Sequence, residues 1–477
     1  QQTRLSLPSY QLRITGHANT HAPHNQKPMS LSPKPLNICM LSVHTCPLAT
    51  LGGKETGGMN VYVRDLSREL ARQGHQVDIF TRSQDPCVPR FSHNLGVGAR
   101  VIHVPAGPES PVSKETMVEH VPDFAAWVQQ FAASHHRRYD LIHSHYWISG
   151  LVAEQLRAAW GEIPIVQMFH TLGQMKNQVA QAPHEFATQQ RLDAESAILG
   201  FADRVVAGSP LDKAQTVWLY GADPHKIAVI PPGVDLTRFR PIGELEAKSF
   251  IDVPADKRMV LFVGRIEPLK GIDTLLRAMK QVAEDCGGCE GLTVAIVGGD
   301  PAVPLEQMSD EMARLHRLRA ELGIEELVTF LGKRDQELLP YYYCAAEVVV
   351  MPSHYESFGM VALEAMACGT PVIASRVGGL RFSVVHGYTG LHVPVGDADA
   401  LAAAITKLFK NDVLRWQLSA NSRQVAQSFG WPTITGQLVD LFREAMADQE
   451  GISLNQCFNT ALAQSVGGVQ TGQAQPG

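Results

Sequence analysis

The chain predicts an α/β protein made of two doubly wound parallel sheets, and three observations carry that expectation. Short runs rich in Val and Ile alternate with amphipathic stretches of helical period from residue 37 to about residue 447. The first run leads into a glycine-rich loop and a helical stretch, giving the order strand, loop, helix, strand over residues 37–82. Pro and Gly then cluster between Pro231 and Pro241, which divides the strand-like runs into two sets. Consecutive parallel strands joined by helices imply right-handed crossovers.

Taken in order, the first half is expected to hold strands at 38–43, 76–81, 100–104, 140–143, 164–168 and 204–207. In the second half they recur at 259–263, 292–297, 327–330, 347–351, 371–374 and 390–393. A first domain over 37–235 and a second over 236–430 follow from the break between the sets. The ends differ from the middle. Residues 1–36 are rich in Gln, Pro, His and Ser, lack either period and have no apolar stretch of the kind a signal peptide needs. They read as a disordered tail, within which His17, His21 and His24 are at most an adventitious metal site. Met29 is a candidate natural start, which would leave residues 1–28 outside the natural protein. Residues 448–477, ending QTGQAQPG, read as a second tail.

Composition narrows the function classes. A chain of 477 residues, 45% apolar and 18% charged, can build a full core in each of two or three domains. A formal net charge of −6 gives no nucleic-acid footprint, so any basic patch must be local. No apolar run reaches membrane-spanning length. Eight scattered cysteines read as reduced thiols of a cytoplasmic protein. Cys286-Gly-Gly-Cys289 has the spacing of a redox or zinc pair, but no second pair follows, and it reads as an incidental loop.

The most informative stretch chemically is SHYESFGMVALEAMACGTPV, residues 353–372. It sets Glu356 and Glu364 eight positions apart around a loop-to-helix junction, with a helix expected from near Phe358. The free N–H groups of such a helix suit a diphosphate, and the two carboxylates suit the hydroxyls of a flanking sugar and ribose. A surface helix that happens to carry two glutamates is the plainer alternative. Upstream, MVLFVGRIEPLKGIDTLLRAM (259–279) places Arg265 and Lys270 just beyond the carboxyl end of a buried strand, where doubly wound sheets bind phosphates. Taken singly, each cation would pass for a solvated surface residue.

Together these segments carry a resemblance. VGRIEPLKG, the Glu356/Glu364 pair, VIPPGVD (229–235) and GTPVIASRVGG (369–379) resemble the donor-binding half of glycosyltransferase family 4, in that family's order. The resemblance covers roughly residues 37–447 and implies a retaining enzyme of the GT-B fold, two Rossmann-like domains facing across a cleft. It also implies a second crossing near Trp431-Pro432, with a helix over about 431–447 returning to the first domain. In the first half, SVHTxPL followed by GGMNVYV is similar to the branch that moves N-acetylglucosamine onto an inositol phosphate. Sucrose-phosphate synthases resemble this region less closely, tending to have Gln where Met59 stands.

Residue by residue, the resemblance implies an acceptor site of His44, Asn60, Lys114, Tyr146, Thr171 and Arg191, the last four around the phosphate of a phosphorylated cyclitol. Two cations and two hydroxyl donors can enclose a phosphate dianion on physical grounds alone. That Tyr146 and Thr171 merely pack at strand ends is the alternative. Gly58 of the glycine loop is expected at the donor, where its helix N–H groups would meet anionic oxygens. Arg265, Lys270, Glu356 and His170 form the expected catalytic set, and Arg265, Lys270, Glu356 and Glu364 the donor site. The donor is a UDP-sugar, with UDP-GlcNAc favoured and inositol 3-phosphate the acceptor; glucose transfer to fructose 6-phosphate is the alternative. A GT-B nucleotide-sugar binder or epimerase that transfers nothing is a distant third. No cofactor is required. Asp397-Ala398-Asp399 comes too late in the chain for a diphosphate metal site, although a non-catalytic Mg2+ near Thr370 stays open. A homodimer is left open as well. One departure stands out: residues 50–56, TLGGKET, replace a loop that in the family reads close to Gln-Pro-Gly-Thr-Gly-Asp, and Lys54 adds a cation.

Overall fold

The structure is a computed structural model that describes residues 34–49, 56–180, 185–285 and 291–449. His17, His21, His24, Lys54 and the Cys286–Cys289 pair lie outside the described residues.

The first sheet contains β1 (Asn37–Leu41), β2 (Gln76–Arg82), β3 (Phe91–Ser92), β4 (Ala99–Val104), β5 (Leu141–His145), β6 (Ile165–Met168), β7 (Arg204–Ala207) and β8 (Ile227–Val229). Its order is β3-β4-β2-β1-β5-β6-β7-β8, parallel throughout except for β3, which runs antiparallel to β4. The second contains β9 (Arg258–Val263), β10 (Leu292–Val297), β11 (Val328–Gly332), β12 (Ala346–Met351), β13 (Val372–Ser375) and β14 (Gly390–Val393). Its order is β11-β10-β9-β12-β13-β14, with every pairing parallel. Both are doubly wound Rossmann-like domains, with helices on both faces. All twelve expected strands are present. The sequence reading missed β3 and β8, and it ran β1 on to residue 43, where Ser42 Oγ donates to the Thr45 carbonyl at 2.8 Å and turns the chain.

Parallel strands are covered on both faces, so their side chains divide between two cores. On β1, Cys39 and Leu41 enter one cluster with Phe80, Ile142 and Trp147, while Ile38 and Met40 enter another with Tyr62, Leu66 and Val166. That second face is closed by the last described helix, Trp431–Gln449, through Trp431, Ile434, Leu438, Phe442 and Ala445. Pro432 is tolerated in its first turn, where no N–H is needed. The helix runs two residues beyond the expected start of the tail, and its end is tied by an ion pair between Arg204 and Asp448.

The reversal of strand order falls at β1, between β2 and β5, and at β9, between β10 and β12. Crevices beyond the carboxyl ends of strands at such points are the ligand sites of open α/β sheets. The chain crosses between the sheets twice, and the two crossings are bonded to each other. Val234 forms a parallel bridge with Gly430, its N–H donating to the Phe429 carbonyl at 2.8 Å and its carbonyl accepting from Trp431 N at 3.3 Å. Gly233 lies against the Trp431 indole so closely that a Cβ there would run into the ring. We therefore expect Gly233→Ala to cost about 1–3 kcal/mol through overpacking, read as a lower urea midpoint in equilibrium unfolding.

Candidate functional site

All twelve side chains and glycines singled out from the sequence line one cleft of about 640 Å³, formed by the carboxyl ends of both sheets. On the second-sheet wall, β9 ends at Gly264-Arg265 and a turn carries Pro268–Lys270. Gly271 follows in the left-handed region (φ 62°), and a Cβ there would collide with the Pro352 carbonyl. His354 N donates to Leu269 O at 2.8 Å, so the loops after β9 and β12 run side by side. That close approach sets Lys270 Nζ 2.6 Å from Glu356 Oε2, both side chains about four-fifths buried. Behind Glu356, Gly378 (φ 42°) and Gly379 lie flat against the backbone of Glu356–Phe358, and Gly379 N donates to Glu356 O at 3.0 Å. This explains the Gly-Gly of GTPVIASRVGG. Arg265 pairs with Glu267 at 2.8 Å and faces Gly57 of the first domain.

The helix after Glu356 spans Met360–Cys368, two residues later than expected, because Gly359 breaks the helical path with φ 88°. No side chain caps its N-terminus, whose first residues border the cleft. Gly58 faces Met360 across the gap, a Cβ there lying 3.5 Å from Sδ. Glu364 sits little more than one turn in and is buried. It accepts from Tyr343 OH at 2.6 Å and from Gln336 Nε2 at 3.4 Å, and Gln336 in turn accepts from Arg64 of the facing domain. Burial pushes the Glu364 carboxyl up to about 7, against the pull of those two hydrogen bonds.

The first-sheet wall is organised by the ring of Tyr146. His44 packs on it with ring centroids 4.4 Å apart, Arg191 lies 5.0 Å above the centroid and Lys114 Nζ lies 5.8 Å from it. Arg191 is held by Glu195 at 2.7 Å and donates to Thr171 O at 2.9 Å, while Glu195, fully buried, also accepts from Gly173 N and Tyr220 OH. Lys176 is a third cation on this wall, and its sequence gave no separate signal inside FHTLGQMKN. Burial lowers its pKa, as do the charges of Arg191 and Lys114. His44 is held well below its usual value by burial, then by Lys114, His170 and Arg191.

Asn60 borders the cleft, but its amide is bonded within its own domain. Its Nδ2 donates to Thr45 Oγ1 at 2.7 Å and Cys46 O at 2.8 Å, and its Oδ1 accepts from Gly57 N at 2.9 Å. Both amide donors are thus committed to fastening the glycine loop to the turn after β1. Thr370 is likewise committed, donating to Tyr343 O at 2.6 Å, and Asp397 caps the helix Ala398–Phe409.

Two residues of this wall hold strained backbone. Tyr146 has φ 73° and ψ 162°, a region otherwise left to glycine, and is pinned by Tyr146 N to Met168 O (2.8 Å) and Gln167 Nε2 to Tyr146 O (3.1 Å). His170 has φ 62° at the centre of a tight turn closed by Thr171 N to Phe169 O at 2.7 Å. Its ring reaches His145 and its pKa is pushed down to about 3 by burial, with His143 adding to the shift. Asp212, which sequence reasoning missed, lines the same cleft and is raised to about 6 by burial, although Gly208 N donates to it at 3.2 Å.

A nucleotide-sized cleft at two facing switch points, cations opposite carboxylates, and a second cation cluster on the other wall define a two-substrate transferase of the GT-B architecture. The chain belongs to glycosyltransferase family 4. The Glycosyltransferase Family 4 profile matches residues 56–238, and the profile for glycosyl transferases group 1 matches residues 245–425. The D-inositol 3-phosphate glycosyltransferase of Saccharomonospora viridis is 41% identical over 88% of this chain and 96% of the relative. D-inositol 3-phosphate glycosyltransferase 2 of Catenulispora acidiphila is 40% identical over 87% of this chain and 96% of its own. Among solved structures, the sucrose-phosphate synthase of Thermosynechococcus elongatus is 38% identical and superposes with a TM-score of 0.78, over 87% of this chain and 100% of that one. Among the described residues no helix is long and apolar enough to cross a membrane.

Two outcomes follow from this geometry. Gly378→Ala should push the Glu356 loop aside and weaken nucleotide-sugar binding by about tenfold or more, measured by calorimetry. Glu364 binds its proton more tightly folded than unfolded, so its ionised form costs stability, and the cost grows as pH rises from about 4.5 to about 7. Glu364→Gln should therefore gain on wild type by on the order of 3 kcal/mol at pH 8 without ligand, with the gain vanishing below pH 4.5. Unfolding midpoints across that range test it.

Proposed function

We propose that the protein is a retaining glycosyltransferase that moves a sugar, GlcNAc by preference, from a UDP-sugar to a small phosphorylated polyol such as 1D-myo-inositol 3-phosphate. The observation that carries this reading is the Tyr146 cluster: Lys114, Arg191 and His44 gather on one ring, with Lys176 and Thr171 beside them, across the cleft from Lys270 and Glu356. Converging cations and hydroxyls suit a phosphate dianion. The relatives named for D-inositol 3-phosphate support the same acceptor.

In this reading the diphosphate lies against Arg265, Lys270 and the uncapped start of Met360–Cys368, which stabilise the negative charge that grows as the sugar leaves. Glu364 receives the ribose hydroxyls and Glu356 those of the transferred sugar. Asn60 acts indirectly, by holding Gly57 and Gly58 at the donor. The bond from the anomeric carbon to the diphosphate oxygen breaks as the bond to the acceptor hydroxyl forms on the same face, and that hydroxyl's proton passes to the departing phosphate oxygen. His170 lies beside the anomeric carbon in this arrangement. Glu356 is a poor covalent nucleophile because Lys270 holds its carboxylate at 2.6 Å. The reading assigns no metal, since the two cations supply the neutralising charge.

A second reading, glucose transfer to fructose 6-phosphate, has the 38% identity and the shared fold of the sucrose-phosphate synthase behind it. Met59 favours the inositol reading.

The test is UDP release from UDP-GlcNAc and from UDP-glucose, each with inositol 3-phosphate, fructose 6-phosphate or no acceptor. Turnover with UDP-GlcNAc and inositol phosphate alone supports the reading. Turnover with UDP-glucose and fructose 6-phosphate replaces it with the second, and sugar isomerisation without UDP loss removes both. Lys114→Ala and Arg191→Ala should each raise the acceptor KM by about 10–100-fold, the loss of one charge-assisted contact. The donor KM should stay near wild type; unchanged acceptor KM in both variants would show that the acceptor carries no phosphate at this cluster.

A further inference from the structure

His145 does not border the cleft, yet it is bonded to a residue that does. It stands with His143 on one face of β5, two residues apart, and His170 follows the neighbouring strand β6. His145 Nδ1 lies 3.0 Å from His170 Nε2, and the two ring centroids are 5.2 Å apart. Tyr62 sets its ring edge-on to both, at 5.7 and 5.2 Å. Resting on the function proposed above, we infer that His145 is a positioning residue that fixes the tautomer of His170 and makes His170 a hydrogen-bond donor toward the transferred sugar.

One hydrogen must lie between the two nitrogens, and the surroundings decide which ring owns it. His143 Nδ1 is 2.9 Å from the Val166 carbonyl and so carries its hydrogen there. His145 Nε2 is buried and has no hydrogen-bond partner among the described residues. A hydrogen on that nitrogen would be a buried donor without an acceptor, which is rarer and costlier than a buried lone pair. The hydrogen of His145 therefore belongs on Nδ1, donated to His170 Nε2. Burial keeps His170 neutral at physiological pH. With its Nε2 accepting, its own hydrogen sits on Nδ1, the ring nitrogen left for the cleft. The reverse arrangement would leave His145 with the orphaned N–H.

The consequence is chemical. A donor N–H beside the anomeric carbon can hold a sugar hydroxyl, and it cannot remove the acceptor's proton. That agrees with the departing phosphate oxygen as the proton's destination. His145 thus acts on the reaction only through the ring it orients.

The experiment is a long-range proton–nitrogen correlation spectrum of full-length protein with ring-labelled histidine at pH 8. The His170 signals are identified by their loss in His170→Gln. Hydrogen on Nδ1 is the expected pattern, and hydrogen on Nε2 overturns the proposal outright. In His145→Leu the fixed pattern should give way to a mixture and kcat should fall on the order of 10²-fold, with UDP affinity unchanged. His145→Asn, whose amide N–H falls near the place of Nδ1, should restore most of kcat. A leucine variant with the wild-type pattern and wild-type kcat would also overturn it; should that variant not fold, the wild-type spectrum alone decides. Absence of turnover on every acceptor would count against the proposed function and leave the tautomer measurement intact.

Discussion

The pairing of Lys270 with Glu356 joins the loops that follow β9 and β12, the two strands that flank the order reversal of the second sheet. The loops lie closer than a side chain's width, because Gly271 meets the Pro352 carbonyl on one side and Gly378 and Gly379 meet the backbone of Glu356–Phe358 on the other. Three glycines thus set the distance at which a cation and a carboxylate meet at the edge of the cleft. The ion pair also sets a cation directly against a carboxylate at a site only about a fifth exposed, which offsets part of the cost of burying either charge.

The opposite wall depends on stored strain. Tyr146 and His170 sit in backbone regions that cost of order 1–3 kcal/mol each, and both belong to the cleft. The cost is sustained because Tyr146 N donates to Met168 O and Tyr146 O accepts from Gln167 Nε2, and because the strands beneath are fully buried. In return the chain turns sharply after β6, so that the consecutive residues His170 and Thr171 both border the cleft. Lys114 at the start of one helix and Arg191 in the first turn of another then converge on one aromatic ring, whose face tolerates positive charge.

The fold was legible in the sequence because buried parallel strands leave short Val- and Ile-rich runs that alternate with longer amphipathic helical stretches. β3 left no such run, being two residues on an exposed edge, and β8 left only Ile-Ala-Val. The site was legible where a residue type and its chemistry coincide, as for Arg265, Lys270 and Glu356. It was not legible where the same type does something else: Asn60 spends its amide on the glycine loop, and nothing in its spelling distinguishes that from a ligand contact. Lys176, on the short helix Gly173–Asn177, and Asp212, in the first turn of Pro210–Tyr220, reach the cleft only through the fold. The helix Met360–Cys368 starts two residues later than the composition suggests because Gly359 takes up a left-handed backbone that only the fold reveals.

The bridge between Val234 and Gly430 makes the second domain an insertion. The chain leaves the first sheet and re-enters it at one spot, and what lies between is a self-contained excursion. The helix Trp431–Gln449, which covers Ile38, Met40, Tyr62 and Val166, is therefore the last described part of the protein to be synthesised. A ribosome adding 5–20 residues per second needs roughly 10–40 s to traverse the intervening stretch of about 200 residues. For that interval one face of the first sheet, and the Tyr62 and His143 rings with it, awaits its covering. The first domain is the earliest to be made and the latest to be finished, and a nascent chain stalled within the insertion would present that apolar face to the cell.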